Sequence, residues 1–250
     1  MKEKSSTIDE REVERFSRIA SEWWDERGKF KPLHAINPVR IRYILERIQG
    51  SEVGDQGSAP ASLAGLSLLD IGCGGGLVCE PMRRLGAEVT GIDASEKNIG
   101  VASLHAGQSG LTIDYRATTA EALCEQGKQY DIVLALEIIE HVADVALFVD
   151  TCCRLVKPGG IMVWSTINRT PKSFALAIVG AEYVLRWLPR GTHDWRKFLK
   201  PSELCGYLRK QHMDLTDISG MVFEPFTRKW RMDARNVSVN YYITVKKPVN

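Results

Sequence analysis

Residues 68–76, LLDIGCGGG, place Gly72, Gly74, Gly75 and Gly76 directly behind an apolar run. A second apolar run, EVTGID, then ends in Asp93, about 20 residues after the first glycine. An apolar run, a glycine turn, a helix-length segment and an apolar run ending in an acid form a parallel strand–helix–strand unit. In such a unit the bare backbone of the turn faces a ligand beyond the carboxyl ends of the strands.

The rest of the chain repeats this alternation. The runs SLLDIG, EVTGID, TIDYRA, YDIVLALEII and IMVWSTI read as five strands. They are separated by the helical stretches LVCEPMRRLG, SEKNIGVASLHAGQSG, AEALCEQG and VADVALFVDTCCRLV, with KPGG as a tight turn. This pattern predicts an α/β, Rossmann-like fold: a mostly parallel sheet with helices on both faces. VSVNYYITVKK, near the C-terminus, alternates like an edge strand and would add an antiparallel element. Ahead of the sheet, residues 8–24 carry apolar groups at helical spacing, and a second helix over 38–48 follows the linker FKPLHAIN. A chain of 250 residues fits one enlarged domain. We divide it into an N-terminal helical cover (1–49), a flexible Gly/Ser/Ala linker (50–62), a core (63–168 and 200–250) and an insertion (169–199).

Composition excludes several classes of function. A formal charge of +2 with no basic block gives no nucleic-acid signature. No apolar run reaches the ~20 residues that span a bilayer, and the charged start MKEKSSTIDEREVERF lacks the apolar region of a secretory signal. The 6 cysteines include no C-x-x-C pair and read as reduced core residues, which places the chain in the cytoplasm.

A dinucleotide is the first candidate for the glycine turn. Its fingerprint needs a glycine where the chain has Leu77, and Asp70, inside the strand end, would repel a pyrophosphate. A cationic nucleoside reverses that argument. S-adenosylmethionine carries an ammonium and a sulfonium beside adenosine, so Asp70, bare backbone and Asp93 suit it.

LLDIGCGGG, TGIDAS and RLVKPGG, in this order, resemble the motifs of class I S-adenosylmethionine-dependent methyltransferases. The resemblance places Gly72 and Gly74 against the cofactor, Asp93 with the neighbouring Ala94 at its ribose, and Leu136 along the fourth-strand wall. The blocks WWD, FKPLH-INP, VGAEY and GTHDW-KF lie outside the general fold and resemble the ubiquinone biosynthesis O-methyltransferases over about residues 8–242. That resemblance implies methylation of ring hydroxyls of polyprenylated catechol or hydroxyphenol intermediates, at both O-methylation steps. It also matches Arg40, in INPVR, to a cofactor contact, where a guanidinium fork would hold the methionine carboxylate. The competing reading of Arg40 is an exposed charge at a helix start. The competing functions are methylation of another lipophilic or small phenol, and a non-catalytic cofactor-binding scaffold of a quinone-synthesis complex.

Transfer to a phenolic oxygen needs a base or a cation, since a free phenol has a pKa near ~10. Glu137, Glu140 and His141 stand at the mouth of the site, after the fourth strand. Either His141 takes the proton, or all three hold a divalent ion (Mg, Mn or Zn) that binds the catechol oxygens. An acid there can also simply cap the next helix. In the insertion, SFALAIVGAEYVLRWL (173–188) is apolar with flanking Lys172, Arg186 and Arg190. Phe174, Tyr183, Trp187 and Leu188 make it either a lid on the cleft or a surface for peripheral attachment to membrane lipids at the cytoplasmic face, beside other quinone-biosynthesis enzymes. His34, His193 and Asp194 are further candidates for the acceptor pocket or for buried hydrogen bonding, whereas His105 and His212 lack a functional context.

Overall fold

The computed structural model describes residues 7–50, 62–175 and 194–249. Five parallel strands, β1 (Ser67–Ile71), β2 (Glu88–Asp93), β3 (Asp114–Ala117), β4 (Tyr130–Leu136) and β5 (Val156–Ile167), are joined by three antiparallel ones, β6 (Asp214–Glu224), β7 (Lys229–Asp233) and β8 (Asn240–Lys246). The sheet order is β3-β2-β1-β4-β5-β8-β6-β7. Chain order reverses between β1 and β4, and crevices for ligands open at such switch points.

The apolar runs are strands because both faces are covered. Leu69, Val133, Ala135, Met162 and Trp164 face one buried cluster, while Leu68, Ile132, Leu134 and Val163 face the other. The helices are α1 (Glu10–Arg18), α2 (Lys31–Gln49), α3 (Cys79–Arg84), α4 (Glu96–Gln108), α5 (Ala120–Glu125), α6 (Val145–Arg154), α7 (Pro171–Ser173) and α8 (Pro201–Lys210). Side-chain caps start several of them. Asp9 accepts from the Arg11 amide, Ser95 from Asn98, Thr119 from Ala122 and Asp144 from Leu147.

Four local expectations are corrected. The stretch read as a linker, 31–37, is the first part of α2. Pro32 sits in its first turn, where no amide partner is needed, and the helix continues through Pro38. The first helical stretch is shorter than 8–24, ending at Arg18 and continuing as a 3₁₀ turn, Ala20–Glu22. KPGG does not end a connection before β5; it lies inside β5. The β4–β5 register shifts between Tyr130, opposite Val156, and Ile132, opposite Ile161. Residues 157–160 stand opposite Asp131 alone, while Gly159 and Gly160 keep backbone bonds to Lys247.

β8 is interior, not an edge: β5 and β6 flank it, and residues 241–245 are all buried. The alternation at Ile243, Thr244, Val245 and Lys246 resembled an edge, but β6, absent from the expected strands, pairs along the side that would have been free. Residues 51–61 of the expected linker lie outside the described residues.

Candidate functional site

β1 delivers the glycine turn to the carboxyl end of the sheet, next to the crevice between β1 and β4. Gly72, Gly74 and Gly76 have φ of 73°, 53° and 87°, conformations that a side chain strains. The bareness also serves packing. A Cβ on Gly74 would stand 2.3 Å from the Trp23 ring, and one on Gly75 at 2.4 Å from the same side chain. Trp23 is held there by stacking on Phe30 at 3.8 Å and by donating from Nε1 to Asn98 Oδ1 at 3.0 Å. Trp24 Nε1 donates to the Gly75 carbonyl at 2.9 Å.

Asp93 ends β2, and its carboxylate spans the turn and the next helix. One oxygen accepts from Gly74 N at 3.1 Å, the other from Ser95 N at 2.8 Å and Asn98 Nδ2 at 3.2 Å. Burial raises its pKa against those bonds. Asp70 is only 3% exposed and accepts from Cys79 Sγ at 3.2 Å. Burial, with the negative Asp93 nearby, pushes its pKa to about 7, although Cys79 and Arg40 pull it down.

Arg40 is buried in α2, so the reading of it as an exposed charge is overturned. Its Nε donates to the Tyr242 hydroxyl at 3.2 Å, tying the N-terminal cover to β8. Burial disfavours its charge, but Tyr242, Glu137 and Asp70 outweigh that and raise its pKa. Its Nη2 is buried and unpartnered. A buried guanidinium nitrogen left bare is costly and calls for an acceptor from a ligand.

Arg40, Asp70, Gly72, Gly74, Asp93, Ala94 and Leu136 all line one cleft of about 280 Å³. These residues fit S-adenosylmethionine: a free donor for its carboxylate, a buried acid for its positive charges, a half-buried acid for its diol, and open backbone between them.

The same cleft reaches Glu137, Glu140 and His141. Glu137 adopts a positive φ of 53°, unusual for a residue with a side chain. Its carboxylate accepts from Ser165 Oγ at 2.6 Å and Asn240 Nδ2 at 2.9 Å. Glu140 is buried and accepts from Thr166 Oγ1 at 2.8 Å; burial and the charge of Glu137 push its pKa to about 8. His141 Nδ1 lies 3.2 Å from Glu12 Oε2, and its ring meets Phe16 edge-on at 5.2 Å. The three side chains thus turn to separate partners. Among the described residues, no three His, Cys, Asp or Glu stand together as a group for a metal ion. Glu137, Glu140 and His141 therefore do not form the expected divalent-ion site.

Other candidates resolve differently. Phe174 is exposed and edge-on to Trp195 at 6.4 Å, whereas Tyr183, Trp187, Leu188 and His193 lie outside the described residues. Asp194 caps the turn Trp195–Lys197 rather than lining the cleft. His34 Nε2 bonds the Trp23 carbonyl at 2.8 Å. His105, read as lacking context, stacks on Trp24 at 3.4 Å and pairs with the buried Glu80 at 2.6 Å.

The expected N-terminal cover roofs the cleft through Thr7, Glu12, Phe16 and Trp23, which the sequence did not single out as lining residues. Thr7 donates from its amide to Glu121 at 2.9 Å and accepts from the Ala143 amide at 2.9 Å, which pins this segment over the mouth. The WW pair was visible as a motif; which residues it would cover was not.

A family model described as a methyltransferase domain matches residues 69–164. The chain is 58% identical over 239 residues to the ubiquinone biosynthesis O-methyltransferase of Cereibacter sphaeroides, covering 96% of each. It is 53% identical over 248 residues to the protein of that name from Roseobacter denitrificans, covering 99% of this chain and 100% of the relative. Among solved structures, a SAM-dependent methyltransferase from Thermotoga maritima, described as a possible histamine N-methyltransferase, superposes with a TM-score of 0.63 at 16% identity. That match covers 94% of this chain and 99% of the other and bears on the fold alone. With fold and nearly full-length likeness in agreement, the chain belongs to the ubiquinone biosynthesis O-methyltransferase family.

Proposed function

We propose that the protein transfers a methyl group from S-adenosylmethionine to a ring hydroxyl of polyprenylated catechol and hydroxyphenol intermediates, at both O-methylation steps of ubiquinone biosynthesis. The observation that carries this reading is a single cleft. It holds a buried, half-partnered Arg40, a buried Asp70 and a half-buried Asp93 at one end, and a histidine facing a carboxylate at the other.

When bound, S-adenosylmethionine supplies an electrophilic methyl group on its sulfonium. Arg40 holds the carboxylate of the donor through Nη2. Asp70 favours the positive end, and Asp93 exchanges backbone bonds for the ribose hydroxyls. Leu136 and the glycine turn exclude water behind it. His141 takes the proton from the acceptor hydroxyl; the phenolate so made would attack the methyl carbon as its bond to sulfur breaks, with S-adenosylhomocysteine leaving as the neutral thioether. Glu12 faces Nδ1 of His141 and steadies the imidazolium so formed. Burial alone would raise the Glu12 pKa, but the bond and charge of His141, with Arg15 and Lys197, hold it low. A carboxylate in that place both orients the ring and stays charged.

A polyprenyl tail resides in lipid, so the protein works peripherally at the cytoplasmic face of a membrane, through residues 168–190 and beside other enzymes of the pathway. Its apolar run with Tyr183, Trp187, Arg186 and Arg190 supports this. Transfer of a labelled methyl group to prenylated and unprenylated catechols, side by side, tests the reading. Turnover of the prenylated acceptor with the higher kcat/KM is expected. No transfer to any catechol overturns it.

A further inference from the structure

The β6–β7 hairpin carries a surface that the site leaves unused. Met221 of β6 pairs with Asn240, the first residue of β8, and Asn240 pairs with Ile167, the last residue of β5. β6 runs on past this point to Glu224, and β7 returns from Lys229. Residues 222–230 therefore project beyond the carboxyl end of the parallel strands, the end at which the cleft opens. Two aromatic rings are exposed there. Phe226 is 103% exposed, and Phe223 is 46% exposed beside its cross-strand partner Trp230 at 5.2 Å.

The tip is also cationic. Arg231 is held by Glu224 and Asp233, at 2.5 and 2.9 Å. Arg228 and Lys229 are exposed, and neither makes an ion pair among the described residues. Arg228 has φ of 52°, so the turn is tightly folded and presents Phe226 outward.

The geometry points to this hairpin tip as a contact for an anionic bilayer: Phe226 enters the headgroup region while Arg228 and Lys229 meet lipid phosphates. A narrow tip with one fully exposed ring offers far less than the ~1,000 Å² a specific protein interface needs, whereas an aromatic wedge flanked by cations suits a charged membrane surface. The inference rests on the lipophilic acceptor proposed above. It assigns the membrane-facing side of the sheet independently of residues 168–190.

The full chain is sedimented with phosphatidylglycerol vesicles and with phosphatidylcholine vesicles. Phe226→Ser is expected to weaken binding about tenfold to both. Arg228→Asn with Lys229→Gln is expected to weaken binding to phosphatidylglycerol by about fivefold per charge removed and to leave phosphatidylcholine nearly unaffected. Trp187→Glu with Leu188→Glu, run in parallel, must leave a remainder that Phe226→Ser lowers further. Wild-type protein that binds neither vesicle overturns the inference, as does a Phe226→Ser variant that binds both as wild type does. Self-association abolished by Phe226→Ser, without vesicle binding, assigns the tip to a second copy and also overturns it. The Phe226→Ser and Arg228→Asn/Lys229→Gln variants should methylate a soluble catechol as wild type does. Loss of catechol turnover in the wild type would instead sink the proposed reaction, leaving the vesicle result to be judged on its own.

Discussion

The Trp23 indole lies against the backbone of Gly74, so closely that a Cβ there would stand 2.3 Å from the ring. The cofactor turn and the N-terminal cover are thus fitted to each other. Gly74→Ala should weaken S-adenosylhomocysteine binding at least tenfold by calorimetry. Adding Trp23→Ala should restore part of that loss by removing the clash. The rest persists because φ of 53° still costs an alanine about 1 kcal/mol. Additive losses in the double variant would show that the two residues do not oppose each other.

If Asp70 faces the cofactor as proposed, cofactor affinity should depend on pH. In the free protein, burial and Asp93 raise its pKa to about 7, and a positively charged ligand favours the ionised form. Below pH 7 a proton must leave before the ligand binds, so Kd should rise by up to about tenfold per pH unit. Asp70→Asn should bind weakly and without this slope. The same shift has an opposite consequence for folding. A carboxyl raised in the folded state destabilises it as pH climbs from about 4 to 7, so the unliganded Asp70→Asn protein should melt at a higher temperature than wild type at pH 8. Calorimetry and thermal melts across pH 5–8 check both halves.

Arg40 has one nitrogen committed to Tyr242 and another, Nη2, unpartnered. Arg40→Leu should raise the donor KM about 100-fold, the scale of a lost charged pair, with a much smaller effect on the acceptor KM. Tyr242→Phe removes only the orienting bond and should raise donor KM about fivefold. Equal effects of the two variants would place the role of Arg40 in packing instead.

His141→Ala should lower kcat by about 100-fold or more at neutral pH, the usual size of a general-base contribution. A catechol carrying electron-withdrawing groups, ionised without help, should be methylated nearly as fast by the variant as by wild type. A variant equally slow on both acceptors would remove the base from the mechanism.

At the opposite end of the sheet, Asp131 accepts from Ser67 N at 2.9 Å, Ser67 Oγ at 2.6 Å and Lys157 Nζ at 2.8 Å. Burial opposes its charge, but these bonds and Lys157 hold its pKa down to about 2. The resulting stability is present above pH 4 and lost as pH falls toward 2. Asp131→Asn should cost about 1 kcal/mol at pH 7, discounted for the partial exposure of the pair, and nothing near pH 2. Denaturant melts at both pH values measure it, and donor KM should be unchanged.

The parallel core was legible because β1, β2, β4 and the second half of β5 are apolar runs bounded by turn residues, a local signal; β3, DYRA, is not, and was legible only from its place in the alternation. Gly72, Asp70 and Asp93 were legible for the same reason, since turn and strand ends sit in one contiguous stretch. What escaped was long-range. Nothing local to DLTDISGMVFE, with its two aspartates and a glycine, announces a strand beside β8, because β8 itself supplies the pairing. Pro38 argued for a helix boundary, yet Ile36, Tyr43 and Ile44 bury that helix against the sheet and carry it through. The trio at 137–141 looked convergent in sequence, but the positive φ at Glu137 turns its carboxylate toward Ser165 and away from its neighbours.

The roof of the donor crevice comes from residues 7–30, on the far side of residues 51–61 from the strands that form its floor. A protease nick between Gly50 and Ser62, with both fragments retained, should leave the ladder of strands standing while the crevice becomes leaky. Assays on such nicked protein would register as poor donor retention what is really the loss of one covalent tether.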